Sequence, residues 1–348
     1  FVFSVLMALI SALIYLLLLR YGPRGAALAF AFYLFIGAWA IAQERYDLVP
    51  AALTLLSLIA AERKHWSLAY IALAFGFLIK LYPILFLPAL FIAEQQDRHT
   101  IYIPINFFTF KTLPIELWHT LQSSRHWRWK NTLLFISLIL VITGFFAIFN
   151  FNGAILSQFN YFANRPLQVE STASMFLWLG TLVGFPVQIV FSFGSVNMVS
   201  ALAGVISNVS EFLFIAGFLY SIYLQWRGKL DLVQTCIALL LIFIATGKVF
   251  SPQYLIWVIP LLAYSGAYGR FWFIIWGSIS LLTTIIYPYF YTRIIDAVKT
   301  PYVPGFIQIV SARNILFVLL TIAYLFNWFH IRKRRALPTH KNMLENQE

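Results

Sequence analysis

Charge is scarce in this chain. Of 348 residues, 10% are Asp, Glu, Lys or Arg while 61% are hydrophobic, and the mean hydropathy is +0.82. A water-soluble domain of this length could not cover so much apolar surface, so the composition excludes one and indicates a polytopic membrane protein. Period-2 alternation of the kind found in barrel strands is also missing from the long apolar runs, which leaves helices as the spanning structure. Cysteine is almost absent: Cys236, inside an apolar run, excludes an internal disulfide. No His/Cys spacing suits a metal, so no metal site is expected, and there is no solenoid repeat or low-complexity tract.

What charge there is carries information. Basic residues number 24 and acidic ones 12, a net charge of +12. The basic residues gather in short clusters between apolar runs, at Arg20/Arg24, Arg63/Lys64, Arg125/Arg128/Lys130 and Arg332–Arg335. That is the positive-inside pattern of a membrane protein rather than a nucleic-acid surface. With about 20 residues per span as the ruler, eleven apolar segments can be marked, near 1–19, 25–43, 48–62, 67–93, 132–150, 172–190, 208–226, 232–247, 253–268, 271–292 and 313–331, of which two do not read as simple spans, and about ten transmembrane helices are expected. The expected fold is all-α, within 1–335, followed by a disordered polar tail at 336–348.

Placing the basic clusters in the cytoplasm fixes the orientation, except at two segments that must begin and end on one side. The run 67–93 has to leave the cytoplasm and return, because the loop at 94–130 is basic. Lys80 and Pro83 at its midpoint predict two half-length helices with an outward-facing break. The stretch 172–207 has to start and end outside, and Pro186 to Ser200, where polar and apolar residues alternate, is expected at the outer surface or re-entering. The loop 94–130, with Phe107, Phe108, Trp118, Trp127 and Trp129, reads as a cytoplasmic interfacial insertion.

The polar residues left over fall mostly on the outer face. Lys80 is the sharpest, since an ammonium inside an apolar run costs about 2.5–3.5 kcal/mol at a helix centre and needs a partner or a task. Lys248 stands similarly between two runs, just before Ser251-Pro252-Gln253-Tyr254. Glu44-Arg45-Tyr46-Asp47 closes one span and opens the next, Asn164-Arg165 to Glu170-Ser171 precedes another, and Arg313-Asn314 begins the last. Ser171 is placed to cap a helix, with an Arg165–Glu170 pair beside it. All six histidines fall inside or in the tail. Chemistry on the outer face would therefore use carboxylates as base and Lys or Arg as electrostatic stabilisers.

The order of these elements is familiar. Arg45-Tyr46-Asp47, Lys80-Leu81-Tyr82-Pro83, Arg165-Pro166-Leu167-Gln168-Val169-Glu170-Ser171, Phe250 to Trp257 and Arg313-Asn314 follow one another, over about residues 25–331. The pattern resembles the polyprenyl-phosphate-sugar-dependent glycosyltransferases of the GT-C fold, in particular glycosyltransferase family eighty-seven and its bacterial α-mannosyltransferase branch. The resemblance implies a multi-pass enzyme of the cell membrane, bacterial in that branch, active at its extracytoplasmic face. It would move a sugar, mannose by analogy, from a polyprenyl-phosphate donor to a lipid or glycan acceptor, with inversion and without a cofactor. Arg45, Lys80, Tyr82, Arg165, Gln168, Lys248, Gln253, Tyr254 and Arg313 would bind substrate. The fold's main aspartate belongs to a first outer loop, expected upstream of Phe1 because the chain reads as starting at the second span; the piece alone is then expected to be inactive. Asp47 and Glu170 are the candidate bases within the sequence. The alternatives are a secondary transporter or lipid flippase, against which the lack of a second Lys-x-Tyr-Pro in a matching half counts, and a non-catalytic assembly subunit.

Overall fold

In the computed structural model, which describes residues 1–101, 118–119 and 122–326, the chain is mostly helical. Phe107, Phe108, the Arg332–Arg335 cluster and the tail at 336–348 lie outside the described residues. The first part runs through α1 (Val2–Tyr21), α2 (Ala26–Gly37), the single turn α3 (Trp39–Ala42), α4 (Leu48–Glu62), α5 (Trp66–Ile79) and α6 (Leu87–Asp97). The second comprises α7 (Lys130–Phe149), α8 (Ser157–Asn164), β1 (Leu167–Gln168), α9 (Thr172–Thr181), β2 (Gln188–Ser192) and β3 (Ser195–Val199). It continues through α10 (Ala203–Trp226), α11 (Leu232–Thr246), α12 (Tyr254–Ser265), α13 (Arg270–Thr284) and α14 (Phe306–Leu325).

Among the described residues, five helices are long and apolar enough to cross a membrane: α1, α7, α10, α14, and α13 with its continuation to Phe290. Another five, α2, α4, α5, α11 and α12, are apolar but have 12 to 15 residues. At 1.5 Å per residue they reach about 18–23 Å, short of a ~30 Å hydrocarbon core. Three of these, α4, α11 and α12, are mostly buried, while α2 and α5 each bury about half of their residues. All twelve residues of α12 are buried, and α11 is buried at twelve of its positions, while α10 buries only Ser221, Gln225 and Trp226. The core is thus centred on the short helices α4, α11 and α12, and the longer helices around them carry exposed apolar faces, as lipid contact requires. Small residues allow close approach: a Cβ on Gly37 would stand 2.7 Å from that of Ser280, so α2 and α13 meet nearly backbone to backbone.

The break expected at Lys80 is present. Had α5 continued, Pro83 would have had to donate to the carbonyl of Ile79, and it has no N–H; the helix ends at Ile79, and Lys80 takes an extended conformation. A short 3₁₀ turn over Tyr82–Phe86 then leads into α6. The Trp66 indole donates to Asp97 at 3.2 Å and the Lys64 ammonium meets Asp97 at 2.6 Å, so the start of α5 and the end of α6 come together with Lys80 at the far tip. The segment folds back on itself.

The second exception also closes on itself, but through strands. Pro186 to Ser200 forms the β2–β3 hairpin, tightened by Phe193 and Gly194 at φ 53° and 68°, and β3 pairs antiparallel with β1 at Leu167↔Met198. The alternation of polar and apolar residues there is a strand period; the otherwise helical fold carries a three-stranded sheet, order β1-β3-β2.

Polar contacts gather at the two ends of the helices. One end holds Asp47 with Lys80, Glu44 with Tyr287, Glu170 with Tyr291 and Arg313, and Gln168 with the backbone of Lys248 and Phe250. The other holds Lys64 and Trp66 with Asp97, Glu94 with Asn131 and Arg98, Glu62 with Tyr264, and Gln96 with the carbonyls of Gln225 and Trp226. Every motif singled out on the sequence as outer lies at the first end.

Candidate functional site

Three separated sequence elements meet at Asp47. It begins α4, Lys80 sits in the break after α5, and Trp257 lies in the first turn of α12. The Lys80 ammonium donates to Asp47 Oδ1 at 2.5 Å, and the Trp257 indole N–H donates to the same oxygen at 2.5 Å. Asp47 is 1% exposed, and its Oδ2 has no hydrogen-bond partner among the described residues. An unpartnered buried carboxylate oxygen is costly and rare, and marks a site worth explaining.

Aromatic rings wall the pair. Tyr82 stacks on Trp257 with centroids 4.3 Å apart, and Trp257 stacks on Tyr254 at 4.0 Å, a three-ring pile built from the Lys80-Leu81-Tyr82-Pro83 and Gln253-Tyr254 elements. The Lys80 ammonium also lies 5.1 Å from the Trp257 ring and 5.2 Å from that of Tyr46, so two π faces supplement the carboxylate. At the rim, Arg45 and Glu44 are exposed, and Glu44 accepts from the Tyr287 hydroxyl at 2.9 Å.

Other residues singled out on the sequence form a second knot. The Arg313 guanidinium donates to the Glu170 carbonyl at 2.6 Å and lies 3.6 Å from its carboxylate, with Tyr291 donating to the carboxylate at 2.8 Å and Asn314 to the carbonyl at 3.1 Å. Burial pushes the Glu170 carboxyl above its ordinary range, and Arg313 and Tyr291 pull it back. Gln168 clasps the 248–250 segment from both sides, its N–H donating to the Lys248 carbonyl at 2.9 Å and its Oε1 accepting from Phe250 N–H at 3.1 Å. These contacts tie α14 and the β1–α9 connection to the segment that leads into α12.

Several sequence readings are corrected. Arg313 does not open the last span: α14 begins at Phe306, which buries Arg313 fully in its second turn against Phe250. The partner of Glu170 is Arg313 and not Arg165, which donates to Tyr161 at 2.5 Å and Ser195 at 3.0 Å. Glu170 is buried, its Oε1 accepting from Tyr291 and its Oε2 lying 3.6 Å from Arg313 without a hydrogen-bond partner among the described residues. Lys248 does not join Lys80: its ammonium pairs with Glu211 at 3.2 Å on α10, and both side chains are partly exposed. Gln253 is half-buried at the N-cap of α12 without making a side-chain cap. Ser171 caps α9 as expected, accepting from Ser174 N–H at 3.1 Å. Trp257 was missed as a functional group, although it ends the quoted Phe250–Trp257 element and an indole N–H in a buried helix needs an acceptor.

Sizeable cavities open elsewhere among the described residues. One of about 590 Å³ runs between α1, α2 and α3 and ends at Gln43 and Leu48; another of about 500 Å³, at the opposite end, is lined by Lys64, His65 and Arg98. Among the described residues no group of three His, Cys, Asp or Glu side chains could hold a metal ion. No protein-family model matches the chain, and neither a curated protein nor a solved structure is significantly similar to it.

Proposed function

We propose that this protein is an integral membrane glycosyltransferase that moves a sugar, of mannose type, from a polyprenyl-phosphate carrier to a lipid or glycan acceptor at the extracytoplasmic face. The observation that carries the reading is the meeting of Lys80, Asp47 and Trp257 at the end of the molecule opposite Arg63, Lys64 and Arg128. A cation held in an apolar, aromatic-walled setting is what a departing lipid phosphate requires, since the phosphate leaves as an anion and calls for positive charge rather than a general acid. The positive-inside pattern supports an outer position, because Arg63, Lys64, Arg98 and Arg227 lie at the other end.

In the reaction, the acceptor hydroxyl oxygen attacks the anomeric carbon as the carbon–oxygen bond to phosphate breaks. The polyprenyl phosphate departs with the bonding electrons and the hydroxyl proton passes to a carboxylate. One displacement inverts the centre. The base must lie across the sugar from the phosphate, and in inverting glycosidases the two acting carboxyls stand about 6.5–9.5 Å apart for a similar reason. Asp47, in contact with the ammonium at 2.5 Å, is too close to serve the far side. It aims Lys80, and Trp257 aims Asp47. Glu44, exposed on the rim, is the carboxylate of this chain best placed to reach the acceptor.

The test is transfer from radiolabelled polyprenyl-phosphate-mannose by the full-length protein in membranes. Lys80→Ala should lower turnover by about 100-fold or more, as the loss of an oxyanion-stabilising donor does, and Asp47→Asn should raise the donor KM as well as lower kcat. Normal glycolipid product from Lys80→Ala would end the proposal. A fall in kcat alone for Asp47→Asn would make Asp47 the base instead.

A further inference from the structure

Glu44 stands on the rim, where an exposed carboxylate on a long side chain samples several rotamers unless something holds it. Neither Lys80 nor Trp257 does so, since both bind Asp47. The Tyr287 hydroxyl does: it donates to Glu44 Oε2 at 2.9 Å, across 243 positions of sequence. Glu44 Oε1 has no hydrogen-bond partner among the described residues. One carboxylate oxygen is anchored and the other is open to take a proton.

The contact depends on a break in the backbone. Pro288 cannot donate a helical hydrogen bond, and Tyr287 before it leaves helical geometry at φ −134° and ψ 124°. The half-buried Tyr287 ring lies 5.9 Å from that of Tyr291. Tyr291 in turn donates to Glu170 at 2.8 Å, inside the knot that Arg313 closes. Two tyrosines four residues apart thus give their hydroxyls to two carboxylates, one in the knot and one on the rim. Through them Glu44 is braced against α14. Arg45 acts electrostatically on both Tyr287 and Lys80, so the tyrosine and the ammonium lie within reach of one guanidinium.

We infer that Tyr287 is the positioning residue of the base, holding Glu44 toward the acceptor hydroxyl while Lys80 holds the phosphate. The inference rests on the proposed reaction and adds to it the group that orients its proton acceptor. A base works only within hydrogen-bond reach of the proton it takes, about 2.6–3.2 Å. A carboxylate free to wander loses turnover while the donor still binds. The acceptor's proton passes to Glu44 Oε1, and Tyr287 keeps its own proton throughout.

Transfer kinetics of the full-length protein in membranes separate this role from packing. Tyr287→Phe keeps the ring against Tyr291 and removes the hydroxyl. Its kcat should fall about tenfold with the donor KM unchanged, because Lys80 and Asp47 are untouched. Glu44→Gln should lower kcat by about 100-fold or more, as loss of a general base does. Adding Tyr287→Phe to Glu44→Gln should cost nothing further, since the two act as a unit. Tyr291→Phe, one step further back, should show a smaller loss of kcat that also vanishes in the Glu44→Gln background, and it serves as the test if Tyr287→Phe does not fold. Losses that multiply in the double variant would overturn the inference, as would an unchanged kcat for Tyr287→Phe. Normal turnover by Glu44→Gln would also overturn it while leaving Lys80 in place. Normal product from Lys80→Ala would instead remove the reaction itself.

Discussion

Lys80 and Asp47 act as a unit, and their energetics can be separated from their role. Breaking a buried ion pair by removing one partner leaves an uncompensated charge and costs about 3–5 kcal/mol, whereas replacing both is often close to neutral. Lys80 keeps 20% exposure, so the lower end of that range applies. Asp47→Asn and Lys80→Met should each lower the thermal midpoint in detergent, and the double variant should recover most of the loss while remaining inactive. Full recovery of transfer in the double variant would make the pair structural. Trp257→Phe keeps the stack and deletes the N–H, a hydrogen bond to a charged group worth about 1.5–3 kcal/mol; it should lower the melting midpoint by a few degrees and reduce kcat/KM by about tenfold or more. At this scale the sequence was legible where a residue violated its surroundings: an ammonium in an apolar run is conspicuous. Trp257 was not, because a tryptophan in an apolar helix is ordinary until its N–H finds Asp47, 210 positions away.

At the scale of elements, the proline after Lys80 and the serine before α9 made the break and the cap readable, since both are local rules of backbone hydrogen bonding. The depth of Arg313 was hidden. The stretch before it, Phe306 to Ala312, continues the helix through the polar residues Gln308 and Ser311, which interrupt the apolar run that marks a span. The strands escaped for a related reason, as a short alternating run among helices reads as surface. The Arg313–Glu170 knot connects α14 to the 167–171 segment, and through Gln168 to Lys248. Arg313→Met should therefore destabilise by about 3–5 kcal/mol and loosen the approach to α12, measured as a lower melting midpoint and faster amide exchange over 167–171 and 248–254. Lys248→Ala should change stability by less than about 1 kcal/mol, since an exposed pair is worth little. A transfer defect in that variant as large as that of Lys80→Ala would restore Lys248 to the site.

For the whole molecule, the two polar ends give the membrane orientation a direct check. Cys236 is fully buried, so background labelling by an impermeant maleimide should be low. Phe193→Cys and Asp296→Cys should label from outside intact cells, and Lys229→Cys and Arg270→Cys only after the membrane is opened. The reverse pattern would place Lys80 in the cytoplasm and exclude an extracytoplasmic donor. Composition and charge clusters made this architecture legible in outline, whereas the division into short interior and long exterior helices depends on packing that no single segment encodes.

That division has a bearing on biogenesis. With every residue of α12 enclosed by protein, the helix that carries Tyr254 and Trp257 has no contact with lipid in the finished molecule, and at twelve residues it is too short to cross a bilayer by itself. Partitioning one segment at a time therefore cannot seat it. Its insertion has to be cooperative with α2, α4 and α11, the helices packed against it, so the aromatic wall of the site is completed only when those neighbours have assembled around it.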